Sequence, residues 1–317
     1  MIARRALPLL TLPALAQTDW PSQPIRMIMP YAAGGPTDLI ARLIADALSQ
    51  RLPQRVVVEN RTGAGGNIGA GAVARAAPDG HTLLFTNTGH AVNRPLYARL
   101  DYEPATDLVP VTIVAESPMA MLVPNASPDR TLADFVTRLR AAPERYSYGS
   151  SGAGGALQLV SLLFQRAAGV RMTEVSYRGS APAVQDLIAG RLDMLFDAGI
   201  SAFPVAQSGQ ARLLCVSGPA RSTVMPEVPT IAEAGFPAGT FSVWQAVLAP
   251  ARTSPAILGR LAAEIAVILG DGPLRARLME MGAERILANS PGDAKRYVDD
   301  EMTRWATVLR EAGVQPQ

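Results

Sequence analysis

Residues 25–48, IRMIMPYAAGGPTDLIARLIADAL, contain the pattern from which the fold of this chain can be predicted. The apolar run at 25–30 predicts a strand, and the glycines and proline at 33–36 predict a turn. The apolar residues that follow repeat with helical spacing: Leu39, Ile40, Leu43, Ile44, Ala47 and Leu48. The stretch therefore predicts a strand, a turn and a helix that is buried on one face.

The same alternation continues along the first third of the chain. Val56–Val58 predicts a short strand, the glycine-rich stretch 63–69 leads into an alanine-rich helix, and Thr82–Thr86 predicts a third strand. This β-α-β-α-β order predicts an α/β fold, with a parallel sheet and helices on both of its faces.

A second series of the same kind follows. Extended segments are predicted at 108–114 and 119–123, strands at 146–148, 173–177, 194–196 and 212–217, a small-residue turn at 149–155, and helices at 157–163 and 183–187. Helices near 255–269 and 291–312 are expected to return to the first series. Since no linker rich in proline, glycine or serine separates the two series, we expect two lobes joined by crossing strands.

The N-terminus has the features of an export signal. Arg4 and Arg5 form a basic region, residues 6–13 are apolar, and Ala14-Leu15-Ala16 matches an A-x-A cleavage site. The alternative is an ordinary first helix, which the two prolines in the apolar run disfavour. We therefore predict that residues 1–16 are a signal peptide and that the mature chain is periplasmic. No later apolar run is long enough to span a bilayer.

Composition and charge argue against several classes of function. With 48% hydrophobic residues among 317, the chain has enough apolar surface for two folded domains. Without Arg4 and Arg5, the 29 basic residues become 27 and equal the 27 acidic residues. The mature chain therefore has no general attraction for nucleic acid or an anionic membrane. Cys215 is the only cysteine, so it cannot form an intrachain disulfide, and it is predicted to be buried.

The chain offers no pattern typical of a cofactor, metal or hydrolase site. The stretch 63–69 has the spacing G-x-G-x-x-x-G, which differs from the dinucleotide fingerprint, and we interpret it as a turn with close helix packing. One cysteine with His81 and His90 lacks the ligand spacing of zinc sites. The turn 149–152 does not fit the G-x-S-x-G elbow. We expect no cofactor, no metal and no catalysis; a secreted hydrolase that uses one of the two histidines is the alternative.

Candidate ligand-binding residues lie where predicted strands end. Glycines in such turns let a ligand approach the backbone, and the free N–H groups of the following helix favour an anion by about 0.3–1 kcal/mol. Two such turns in different lobes could hold a carboxylate between them. The predicted ligand-binding residues are Tyr31, Gly34, Gly35, Thr37, Asp38, Thr86, Ser150, Ser151, Gly152, Gly154, Tyr177, Arg178 and Asp197.

These residues also have structural interpretations. Thr37 and Asp38 could be helix caps, and Asp38 would repel a carboxylate unless it faces the cap. The turn 149–155 could be a flexible surface loop. Arg178 could bind a carboxylate through its guanidinium or remain unpaired, and Asp197 could accept from a ligand hydroxyl or ammonium or cap the next segment.

Several stretches in combination resemble one family. They are PYAAGGPTD at 30–38, VENRTGAGGNIG at 58–69, APDGHTL at 77–83, VSYRG at 175–179, PTIAEAG at 229–235, and Trp244 with Ala249-Pro250. With these motifs the chain resembles the solute-binding receptors of tripartite tricarboxylate transporters, the Bug family, over essentially the whole mature sequence.

The resemblance implies the Venus-flytrap architecture of a type II periplasmic binding protein, with two α/β lobes, two crossing strands and a ligand cleft. Lobe 1 would comprise residues 17–122 and 219–317, and lobe 2 residues 123–218. The resemblance also implies that the first loop and the 150–155 turn contact a carboxylate, partly through ordered water. One departure is Gly155 and Gln158, where the family often carries a serine and a histidine.

The predicted function is capture of a small carboxylate-bearing solute by a monomer that delivers it to integral membrane transporter components. A receptor that signals to a membrane sensor kinase is an alternative. Both functions begin with ligand binding. They differ in whether the closed protein contacts transporter components or a sensor kinase.

Overall fold

The structure is a computed structural model that describes residues 20–152, 154–177, 179–270, 272–311 and 313–316. The predicted signal peptide and Arg178 lie outside the described residues.

The strands are β1 Ile25–Met29, β2 Val56–Asn60, β3 Thr82–Asn87, β4 Leu108–Pro124, β5 Ser147–Ser150, β6 Thr173–Ser176, β7 Leu195–Ala198, β8 Ala211–Val216, β9 Ser242–Pro250 and β10 Arg285–Ile286. The helices are α1 Pro36–Arg51, α2 Asn67–Ala74, α3 Gly89–Leu96, α4 Leu132–Ala141, α5 Ala156–Ala168, α6 Ser180–Ile188, α7 Gly199–Gln207, α8 Pro255–Ile268, α9 Pro273–Glu280 and α10 Pro291–Glu311.

The first part of the chain forms the predicted parallel sheet. β1 pairs in parallel with β2 on one side and with β3 on the other, and β9 extends the sheet by pairing antiparallel to β3. Side chains of α1, α8 and α9 pack with one apolar cluster of this sheet, which includes the fully buried Ile25, Met27 and Met29. The predicted α/β class is therefore confirmed.

The crossing strand β4 corrects one expectation. We predicted separate segments at 108–114 and 119–123, but Leu108–Pro124 is one strand of 17 residues. It accommodates Pro110 because the register with β9 shifts between Pro110 and Thr112, and such irregularities are where a sheet tolerates proline. The part of β4 up to Pro118 pairs with β9, and the part from Met119 pairs with β7 and β8.

The second series surrounds the later part of β4. β5 and β6 are parallel, and an isolated bridge between Tyr148 and Met194 leads from β5 towards β7. Thr230 bridges Val216 at the end of β8, and the Phe236 ring meets Phe164 of α5 edge-on. Residues around 230–236 thus pack on this part of the chain. The lobe boundaries at 122 and 218 stay a prediction.

Two smaller predictions are confirmed by the packing. Cys215 is fully buried and makes no disulfide. A Cβ on Gly69 would lie 2.8 Å from the carbonyl oxygen of Arg61 and 3.0 Å from Cβ of Pro30, so the glycine-rich stretch does serve close helix packing. Within the part of the chain that the structure describes, no helix is both long and apolar enough to cross a bilayer.

Candidate ligand-binding cavity

A cavity of about 540 Å³ lies beside the crossing strands and receives residues from both parts of the chain. Ser117 and Met119 of β4 and Val243 and Gln245 of β9 line it. The other walls come from the loop after β1, the end of β3 with α3, the turn before α5, and the starts of α6 and α7. The two turns that were expected to meet therefore contribute to one cavity.

The predicted site residues divide into two sets. Those that line the cavity are Tyr31, Gly35, Thr37, Asp38, Ser151, Gly154 and Asp197. The predicted site residues that do not line the cavity are Gly34, Thr86, Ser150, Gly152 and Tyr177. Arg178 lies outside the described residues. Ligand contact by the first set stays a prediction.

Four helices have an N-cap residue that lines this cavity, and none of the four has a side-chain cap. The N-cap residues Gly35, Gly155, Gly179 and Ala198 of α1, α5, α6 and α7 all line the cavity. By contrast, the side chains of Thr131 and Ser254 cap α4 and α8, which begin elsewhere. First-turn N–H groups without a cap need another acceptor, and a helix start favours a negatively charged one.

The turns before α1 and α5 have the same construction. In Gly34-Gly35-Pro36-Thr37-Asp38, Gly34 has φ +84° and donates its N–H to Oδ2 of Asp38 at 2.9 Å. In Gly154-Gly155-Ala156-Leu157-Gln158, Gly154 has φ +75° and donates its N–H to Oε1 of Gln158, also at 2.9 Å. In each turn a glycine adopts a positive φ, which glycine tolerates without strain. A hydrogen bond from its N–H to the side chain four residues later holds the turn.

This construction determines which N–H groups of the two turns are available to a ligand. The N–H groups of Gly34 and Gly154 are already occupied by Asp38 and Gln158, so they are not free for a ligand. The free donors are those of the helix first turns that follow. Gln158, noted above as a departure from the family pattern, is buried and supports its turn in the way that Asp38 supports the first one.

Asp38 anchors the first turn rather than facing a ligand as an unpaired charge. Its carboxylate accepts from Nε of Arg42 at 2.9 Å and from Nδ2 of Asn60 at 2.8 Å, in addition to Gly34. Burial alone would raise the pKa of Asp38, but these donors outweigh it and lower the pKa below its usual value. The charge of Asp38 is thus balanced by Arg42.

Replacing Asp38 with asparagine is expected to lower the free energy of unfolding by about 2 kcal/mol. Hydrogen bonds to a charged acceptor contribute about 1.5–3 kcal/mol each, and an amide cannot accept from all of these donors. Chemical denaturation at neutral pH measures the change. Asp46→Asn, at an exposed position of the same helix, is the matched control. Equal stability of the two variants would show that other contacts hold the turn.

A chain of hydroxyl and amide groups joins the first turn to β3. The Tyr31 hydroxyl donates to Oδ1 of Asn87 at 2.8 Å, and Nδ2 of Asn87 donates to the Thr37 hydroxyl at 3.1 Å. Thr86, predicted to contact ligand, is buried and lies 3.3 Å from the Tyr31 hydroxyl instead. Asn87, which lines the cavity, was missed because adjacent strand residues face opposite sides and the prediction chose Thr86.

Ser150 and Gly152 shape the second turn without reaching the cavity. Ser150 is buried, donates its hydroxyl to Oε1 of Glu174 at 2.5 Å and accepts the N–H of Gly152 at 3.1 Å. Nε2 of Gln158 lies 3.0 Å from both oxygens of Glu174. Glu174 therefore links this turn to β6, and Ser151 is the hydroxyl of the turn that lines the cavity.

Asp197 joins the starts of α6 and α7. It accepts the hydroxyls of Ser180 at 2.5 Å and Ser201 at 2.6 Å and the N–H of Ala198 at 2.8 Å. Burial raises the pKa of Asp197 despite these three donors. At the strand end before α6, Ser180 lines the cavity, whereas the hydroxyl of Tyr177 donates to Asp186.

No lysine, arginine or histidine is among the described residues that line the cavity. Its acidic members are Asp38, which is paired, and Asp197. The described cavity surface therefore offers an anion hydrogen-bond donors, such as backbone N–H groups, but no cationic side chain. Apolar side chains, including Met29, Met119 and Met281, cover much of the remaining wall.

A family model described as TctC, tripartite tricarboxylate transporter family receptor, matches residues 40–314. The chain belongs to this family. The suspected resemblance is thus confirmed.

Relatives of this receptor agree in sequence and structure. Protein BugT of Bordetella pertussis is 35% identical over 303 residues, which cover 95% of this chain and 92% of BugT. The structure titled R. palustris Rpa4515 with adipate has a TM-score of 0.84 at 37% identity and covers 94% of this chain and all of that one. MatC of Rhodopseudomonas palustris with bound malate has a TM-score of 0.80 at 32% identity, over 92% of this chain and all of MatC. These matches confirm the two-lobe fold of periplasmic binding proteins.

Proposed function

We propose that this receptor captures a small carboxylate between its two lobes and performs no chemistry on it. The observation that carries the proposal is the convergence of four uncapped helix starts on one cavity. Such starts bind anions through N–H groups and the helix dipole, without a charged side chain. The relatives crystallised with adipate and malate support a carboxylate as the ligand class.

Delivery to a membrane transporter is the proposed outcome of capture. The family description names a transporter receptor, and residues 1–16 have the features of an export signal, which supports a periplasmic location. Ligand that prefers the closed form would shift the population towards it, and the closed form would be the one that the transporter components recognise.

A ligand panel in isothermal titration calorimetry tests the binding function. We expect di- and monocarboxylates to bind and their neutral amides to bind more weakly, with the bound acid recovered unchanged. A cavity of about 540 Å³ with methionine-rich walls accommodates acids with an apolar body. A neutral amide that binds more tightly than its acid would refute the carboxylate assignment, and a converted ligand would refute pure capture.

Replacing Thr37 with valine is expected to weaken binding of a carboxylate about tenfold. The Thr37 hydroxyl accepts from Asn87 and has its own hydrogen left to donate to a carboxylate, and a hydrogen bond to a charged acceptor contributes about 1.5 kcal/mol or more. Calorimetry measures the affinity, and Thr37→Ser, which retains the hydroxyl, is the control. If the valine variant binds as tightly as the wild type, Thr37 makes no ligand contact.

A further inference from the structure

Gln245 has a feature that the carboxylate site described so far does not explain. It lies in β9, pairs across the sheet with Asn87 and Ala115, is 3% exposed and lines the cavity. Its Oε1 is buried and has no hydrogen-bond partner among the described residues. Buried side-chain amides almost always have their oxygen satisfied, so an unsatisfied one at a cavity wall indicates a missing polar partner.

The polar side chains next to Gln245 make their hydrogen bonds to other groups, and none of them donates to its Oε1 in this structure. Oδ1 of Asn87 accepts from both Tyr31 and the N–H of Gly89, and its Nδ2 donates to Thr37. The hydroxyl of Thr88 accepts the N–H of Trp244 at 3.0 Å. A side chain needed only for packing at this position could be apolar, which would avoid the unsatisfied oxygen.

We propose that Gln245 is a specificity residue that hydrogen-bonds a hydroxyl group on the body of the bound acid, so that the preferred ligands are hydroxy acids. The inference rests on the proposed carboxylate-binding function. A hydroxyl both donates and accepts a hydrogen bond. It can therefore pair with the side-chain amide of Gln245 whether Oε1 or Nε2 faces the cavity. An ionised carboxylate only accepts, so it leaves Oε1 without a donor. Gln245 also lies on a strand and is not part of any of the four helix starts that are proposed to attract the carboxylate.

The test compares each acid with its hydroxylated form in the wild type and in Gln245→Met. The methionine side chain is similar in length and flexible but has no amide. The pairs are succinate and malate, glutarate and 2-hydroxyglutarate, and butyrate and 3-hydroxybutyrate. We expect at least one hydroxy acid to bind the wild type about tenfold or more tightly than its parent, because a site built for a hydroxyl leaves a polar group unpaired without it.

In Gln245→Met that preference should fall to about twofold or less while the parent acid keeps its affinity within a few fold. The melting temperature without ligand should be equal or higher, because the variant removes an unsatisfied amide; a merely structural role predicts a decrease. Gln207→Met, at an exposed position of α7, is the control and should retain the hydroxyl preference.

The outcomes separate this inference from the proposed function. Acids that bind the wild type without any hydroxyl preference, or a preference that survives in Gln245→Met, would refute the role of Gln245 and leave carboxylate capture intact. If none of the panel acids binds while neutral ligands do, the proposed function fails and the inference fails with it.

Discussion

Replacing Ala156 with aspartate is expected to weaken binding of a carboxylate at least about 100-fold while the protein stays as stable as the wild type or more so. Ala156 is the first residue of α5 and lines the cavity, and the first turn of α5 has no side-chain cap and no acidic residue. Two like charges about 4 Å apart repel by roughly 4 kcal/mol near a protein surface, and about 2.7 kcal/mol suffices for a 100-fold change.

Ala156→Asp is expected to weaken binding without lowering stability. This combination distinguishes it from a variant that binds poorly because it is misfolded. An acidic residue in the first turn of a helix stabilises it by about 0.3–1 kcal/mol, so aspartate would take the place of the ligand at the helix start. Calorimetry measures the affinity and thermal unfolding measures the stability. Ala156→Asn, which has nearly the same size and no charge, should retain most of the affinity. Equal affinities of the aspartate and asparagine variants would show that the start of α5 is not the anion site.

The parts of the site that the sequence predicts are those that depend on backbone conformation. The pair Gly34-Gly35 and the pair Gly154-Gly155 mark turns before helices, and both turns contribute to the cavity. Glycine at a strand end followed by an apolar helical pattern constrains the local backbone whatever surrounds it. The two turns follow strands of different sheets, β1 and β5, so the pattern located two walls of the cavity but not how the two sheets are arranged around it.

The parts that the sequence did not predict depend on strand register and on competition between side chains. Asn87 and Gln245 are register partners across β3 and β9, and no local pattern shows that these two strands pair. Thr86 and Ser150 have the right chemistry for a ligand, but nearby Tyr31 and Glu174 already pair with them. A hydroxyl at a strand end is therefore weak evidence until its neighbours are known.

The buried histidine of α3 predicts how the stability of the receptor depends on pH. His90 is 1% exposed, and burial lowers its pKa to about 4. A backbone contact at Pro104 acts in the opposite direction, because it favours the charged ring and raises the pKa. That contact falls short of a full hydrogen bond, because neither ring nitrogen has a partner among the described residues. Burial therefore dominates, and the ring is neutral in the folded protein near neutral pH.

Lowering the pH from 7 to 4 is expected to remove about 3 kcal/mol of the free energy of unfolding through His90 alone. Its pKa is depressed in the folded state, so below its ordinary value near 6.5 the unfolded chain binds a proton that the folded protein does not. Stability is therefore lost between about pH 6.5 and pH 4, at about 1.4 kcal/mol per pH unit, and this loss levels off below pH 4. Denaturation of His90→Gln at a series of pH values should show a shallower decrease over this window than denaturation of the wild type. If His90→Gln and the wild type lose stability in parallel, the buried ring is not the group that takes up the proton on unfolding.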